Sequence, residues 1–146
     1  MDEVMLALED MAGRTEDEVK AHIAEEYSGA DSGFDYGTPS EQDVADKAEE
    51  LKAYSILVAY ESVGSWGCDS SSWFLLRHDQ TGALAVISGS HCSCYGFEGQ
   101  GDIEETDIAY LKSDQFYLPT GGYDTDEAAN VRQVKEFIAS LPEATQ

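Results

Sequence analysis

Three runs decide the fold: YSILVAYES at Tyr54–Ser62, SWFLLRH at residues 72–78 and ALAVIS at residues 83–88. Each is short, rich in branched and aromatic side chains, and bounded by polar or glycine-bearing segments, which is the pattern of a β-strand. Asp79, Gln80, Thr81 and Gly82 separate the second from the third, with glycine available for the positive φ of a tight hairpin. A longer hairpin loop over residues 63–71, carrying Trp66 and Cys68, joins the first to the second. Connections this short predict an antiparallel meander. Along the first run Ile56, Val58 and Tyr60 fall on one face and Leu57 and Ala59 on the other. Both faces are apolar, so helices must cover at least one of them. The expected fold is α+β: a three- to four-stranded antiparallel sheet covered by N-terminal helices and a C-terminal helix.

Outward from the strands the apolar period changes to that of helices. Residues 2–12 place Val4, Met5, Leu8 and Met11 at helical spacing, with Gly13 as a stop. A second helix starts at Thr15, three residues before Glu18 as in a capping box, and Val19, Ile23 and Tyr27 recur every four residues until Gly29. A loop over 28–37 leads to Thr38, Pro39, Ser40 and Glu41, which announce a third helix running to Leu51. Its apolar face (Val44, Ala45, Ala48, Leu51) is thin, so it should lie on the surface. Beyond the meander come a glycine-rich loop at 89–101, a short helix at 102–111 opened by Asp102 and Glu105, and a short strand at 115–118. A last helix at 125–141 sets Val131, Val134, Ile138 and Leu141 on one stripe before Pro142. The 146 residues are expected to form one domain, divided into an acidic helical segment (1–52), the meander and its glycine-rich loop (53–100), and a second acidic segment (101–146).

The charge is the outlier of the composition. Thirty acids stand against eight Lys and Arg, a formal net of -22. Residues 1–52 hold 16 acids and 4 bases, 53–100 hold 4 acids (Glu61, Asp69, Asp79, Glu98) and one base (Arg77), and 101–146 hold 10 acids and 3 bases. A nearly neutral sheet region is therefore flanked by two acidic segments. Such a surface repels phosphates, which excludes unaided binding of nucleic acid and argues against anionic membranes. The basic start and apolar run of a signal peptide are missing, and no stretch is long enough to span a bilayer, so a cytoplasmic location is expected. Three cysteines, Cys68, Cys92 and Cys94, form a poor disulfide framework and are read as reduced thiols.

Chemistry-bearing groups concentrate at His91, Cys92, Ser93 and Cys94. With Cys68 and His78 they supply the thiolate and imidazole donors that zinc selects, and Cys68, His91, Cys92 and Cys94 are the alternative metal set. The spacing lacks a Cys-x-x-Cys knuckle, and the preferred reading is a structural loop with no cofactor. Cys92 or Cys94 beside His91 or His78 is conceivable as a nucleophile and base, yet no nucleophile elbow, P-loop or dinucleotide fingerprint accompanies them. Catalysis is not expected.

The acidic rows are the stronger signal. On a helix, residues three or four apart are neighbours. Glu41, Asp46, Glu49 and Glu50 can line the third helix, with Glu25, Glu26, Asp31 and Asp35 nearby in sequence. Rows of carboxylates resemble the phosphates of a nucleic acid and fit the basic groove of a protein that binds one. Plain solubility, as in proteins adapted to salt, accounts for the same composition. An interaction surface formed by Trp66, Tyr95 and Phe97 is a third reading.

The segment from Ile87 through His91, Cys92, Ser93, Cys94, Gly96, Phe97, Glu98, Gly99 and Gln100, with Glu104, Glu105 and Thr106 soon after, resembles a group of small uncharacterised bacteriophage and prophage proteins. The likeness spans residues 54–112, and Gly101 stands where a tryptophan commonly follows the glutamine. The resemblance implies a phage origin and supplies no mechanism. Together with the charge it leads to an expectation: a phage-type acidic inhibitor that mimics nucleic acid and blocks a host nucleic-acid-binding defence protein, such as a CRISPR effector or restriction enzyme.

Overall fold

A computed structural model describes residues 5–28, 41–62, 70–91, 101–113, 116 and 127–141. In chain order the elements are β1 (Leu6–Glu9), α1 (Glu16–Tyr27), α2 (Glu41–Leu51), β2 (Tyr54–Ser62), β3 (Ser70–His78), β4 (Leu84–His91), β5 (Glu104–Thr106), α3 (Ile108–Leu111) and α4 (Glu127–Ala139). The strands form one sheet in the order β1-β2-β3-β4-β5. From β2 to β5 every pairing is antiparallel, whereas β1 lies parallel to β2. The α+β meander read from the sequence is present, extended by one strand on each side.

Both added strands correct a helix expectation. Within residues 2–12, Leu6–Glu9 is extended and pairs with Val58–Glu61. The apolar run around Leu6 suits a strand packed on two sides: Leu6 and Leu8 join one core cluster and Ala7 packs against the other. Parallel pairing requires a crossover, and α1 and α2 supply it. Gly13 does sit in a turn at φ 85°, but that turn follows a strand. Within 102–111, Glu104, Glu105 and Thr106 instead take up the outer edge of β4, opposite Val86, Ala85 and Leu84. The helix begins only after Asp107, whose carboxylate accepts from the Tyr110 N–H at 2.7 Å. The expected strand at 115–118 falls mostly outside the described residues; Phe116 is buried there without regular structure.

Local signals elsewhere place the elements as expected. Thr15 and Glu18 close a reciprocal capping box, at 3.1 and 2.8 Å, and α1 turns Val19, Ile23 and Tyr27 inward. The β3–β4 turn is closed by His78 and Ala83, with Gly82 at φ 77°. In α2 only Leu51 is buried, as its thin apolar face implied; Thr38, Pro39 and Ser40 lie outside the described residues. Helix α4 buries Val134 and Ile138, with Val131 and Leu141 packed beside them.

Helices cover both faces of the sheet. On one side Val19, Ile23 and Tyr27 of α1 and Leu51 of α2 pack on Ile56, Ala59, Phe74, Leu76 and Ile87. On the other, Leu111 of α3, Phe116, and Val134 and Ile138 of α4 pack on Leu57, Val58, Tyr60, Trp73, Leu75 and Leu84. The division of β2 departs from simple alternation, which grouped Ile56 with Val58 and Leu57 with Ala59. A bulge between Ile56 and Val58 shifts the register, so Ile56 shares the α1 side with Ala59 and Leu57 joins Val58 and Tyr60. At that bulge the Ile56 N–H donates to the Glu16 carboxylate of α1 at 2.7 Å.

Candidate functional site

The α1–α2 layer carries the acidic surface. Helix α1 faces the sheet with Val19, Ile23, Ala24 and Tyr27, which leaves Glu25 and Glu26 turned outward and exposed. Along α2, Glu41, Asp46, Glu49 and Glu50 are all exposed, and the two helices pack against one another. Six of the eight expected carboxylates therefore lie on one helical layer mounted on the sheet. Asp31 and Asp35 lie outside the described residues.

Part of that charge is answered locally. Lys52 reaches Glu49 at 3.0 Å, and Lys47 reaches Glu50 at 2.8 Å while also donating to the Gly101 carbonyl at 2.7 Å. Gln42 donates to Asp46 at 2.7 Å. Exposed pairs of this kind contribute little to stability because water and salt screen them.

Gly101 is buried against this layer. A Cβ placed there would stand 3.0 Å from the Tyr27 carbonyl oxygen, 3.2 Å from the Tyr27 Cβ and 3.3 Å from the Lys47 Cε. The close approach leaves no room for a larger side chain, and the backbone at Gly101 packs on α1 and α2.

One acid behaves differently, and the sequence reading passed over it. Glu61, one residue from the end of β2, is only 4% exposed. Its carboxylate accepts the Tyr27 hydroxyl and lies 2.8 Å from Nε2 of half-buried His22, both on α1. Tyr27 also stands edge-on to Phe74, with ring centroids 5.6 Å apart. Burial pushes the Tyr27 phenol well above its usual range, and the charge of Glu61 and the hydrogen bond to it push further the same way. The signal was legible: Glu61 is an acid inside an apolar strand, in the segment with the fewest acids.

The histidine–cysteine region is placed only at its edge. His91 ends β4 opposite Ser70, and Cys68, Cys92 and Cys94 lie outside the described residues. His78 sits at the opposite end of the β3–β4 hairpin, roughly 25 Å away at the usual rise per residue. There its Nδ1 accepts from the N–H groups of Gln80 and Thr81 in the turn. That separation removes His78 as a base for a nucleophile beside His91. Among the described residues no three His, Cys, Asp or Glu side chains come together to hold a metal ion, and no helix is long and apolar enough to cross a membrane.

No protein-family model, curated protein or solved structure matches the chain.

Proposed function

We propose that this chain is an acidic inhibitor that occupies the nucleic-acid groove of a basic protein, with the α1–α2 layer taking the place of the phosphates. The observation that carries the reading is the joint exposure of Glu25, Glu26, Glu41, Asp46, Glu49 and Glu50 on two helices backed by the sheet. A surface anchored in this way presents its charges without the ordering cost of a mobile acidic tail. Complementary charge accelerates encounter and makes association sensitive to salt. The resemblance of residues 54–112 to phage proteins directs the choice of partner toward a host defence protein, such as a CRISPR effector or restriction enzyme, met in the host cytoplasm.

The test is capture from host lysate on the immobilised chain, eluted with increasing salt and then with competing DNA or RNA. A nucleic-acid-binding protein released by both, and inhibited by the purified chain in its own assay, is the expected result. Captured proteins that nucleic acid fails to displace would overturn mimicry.

A further inference from the structure

A second surface lies on the other face of the sheet. Between β4–β5 and α3 opens a cleft of about 250 Å³. Three aromatic residues line it, Trp73 from β3, Tyr110 from α3 and Phe116, and Glu104 and Glu105 of β5 complete its wall. Glu104, paired with Val86, shares the sheet face of Trp73, whereas Glu105, paired with Ala85, turns its side chain toward the other face. The rings meet at steep angles: Trp73 and Phe116 at 52° with centroids 5.4 Å apart, Tyr110 and Phe116 at 84° and 6.0 Å. Tyr110 is 45% exposed, the one large hydrophobic side chain left in solvent among the described residues.

The chemistry of that lining selects a cation. Aromatic faces are the negative side of the ring quadrupole and attract ammonium and guanidinium groups. The exposed Glu104 on the same face adds a full negative charge, on a chain whose net charge is already -22. The volume is below that of a cleft for a drug-sized molecule and suits a single side chain. Between the basic side chains, a planar guanidinium both stacks on a ring and donates in parallel to carboxylate oxygens. A lysine ammonium is a compact and strongly hydrated point charge that does neither as well.

We propose that the Trp73–Tyr110–Phe116 cleft, with Glu104, receives an arginine side chain of a protein partner. The cleft does not depend on the acidic helices. Trp73 belongs to the cluster packed under α3 and α4, on the sheet face opposite α1 and α2.

The experiment is a titration of the full-length, ¹⁵N-labelled chain with N-acetyl-arginine amide, followed by amide and indole shifts. N-acetyl-lysine amide and sodium chloride serve as matched controls. The inference expects saturable shifts in the millimolar range at the Trp73 indole and at the amides of Thr106, Tyr110 and Leu111. The lysine amide should bind at least about fivefold more weakly, since it lacks the planar fork. E105Q, on the other face of the sheet, should change affinity little, whereas in E104Q, an exposed substitution whose folding is checked by the unchanged spectrum elsewhere, affinity should fall about tenfold. Y110A should weaken it as well. Shifts that track ionic strength alone, that centre on α1 and α2, or that survive in E104Q would overturn the inference without touching the reading of the helical face.

Discussion

The Tyr27 hydroxyl donates to the carboxylate of Glu61, joining the last turn of α1 to the end of β2 inside the core. Glu61 stands opposite Ser72 on β3 and beside Glu9 on β1, so the bond meets the sheet near the crossover between β1 and β2. His22 reaches the same carboxylate oxygen. The arrangement stabilises the fold by satisfying a buried charge, and removing a donor exposes the cost of that burial. Tyr27→Phe should destabilise by about 1.5–3 kcal/mol, the range for hydrogen bonds to charged groups. Urea denaturation near neutral pH measures it.

The same pair gives the protein a limit on the alkaline side. The phenol is raised in the folded state above its ordinary value of 10.0, so the folded chain keeps a proton that the unfolded chain releases. Stability from this group is fully present below pH 10 and is lost as pH rises from there toward the folded-state value. The urea midpoint should therefore fall between about pH 9.5 and 11 more steeply in the wild type than in Tyr27→Phe. Parallel slopes for the two proteins would remove Tyr27 as the cause.

At the other end of α1 the capping box makes an acid-side prediction. The Thr15 backbone N–H, and then the Thr15 hydroxyl, hold Glu18 below the usual carboxylate range. A depressed carboxylate contributes stability above its unfolded value of 4.5, and the contribution disappears as pH falls through the folded value. Thr15→Ala should cost about 1 kcal/mol through the lost cap. Glu18→Gln keeps an acceptor for the Thr15 N–H and should flatten the loss of helicity below pH 4.5, read by circular dichroism.

Gly101, buried against the α1–α2 layer, predicts a packing effect. Any Cβ there meets backbone at 3.0 Å on Tyr27, which cannot swing aside as a side chain would. Gly101→Ala should destabilise by about 1–3 kcal/mol, the usual cost of overpacking. Thermal unfolding tests this, and a melting temperature equal to that of the wild type would show that the α1–α2 layer yields.

How far the fold was legible follows from which forces acted locally. The meander, its Asp79–Gly82 turn, the Thr15 cap and the inward stripe of α1 depend on neighbours within a few residues, and all stand where the sequence indicated. Leu6–Glu9 is different. Its apolar residues satisfy a helical period, and only the vacant edge of β2, about fifty residues on, makes it a strand. Glu104–Thr106 was likewise taken by the edge of β4. Exposure of Glu25, Glu26, Glu41, Asp46, Glu49 and Glu50 was readable from the apolar stripes they flank. The burial of Glu61 follows from its place in β2, but its partners His22 and Tyr27 arrive from another element and leave no mark at Glu61 itself.

The helical face supplies the most demanding prediction, because binding and stability should move in different directions. Glu25, Glu41 and Asp46 are exposed, and none belongs to the core clusters. Reversing all three to lysine changes the net charge by six while relieving like-charge repulsion along α1 and α2. The melting temperature of the triple variant should therefore hold or rise. Affinity for the captured partner should fall by at least about a hundredfold, with most of the early loss in association rate and a shallower dependence on salt. The paired carboxylates provide an internal scale. Glu50→Gln removes a charge that Lys47 already answers, so it should weaken binding less than Glu41→Gln does. Surface plasmon resonance at two ionic strengths separates these terms. A triple variant that retains wild-type affinity would assign the acidity to solubility instead of recognition.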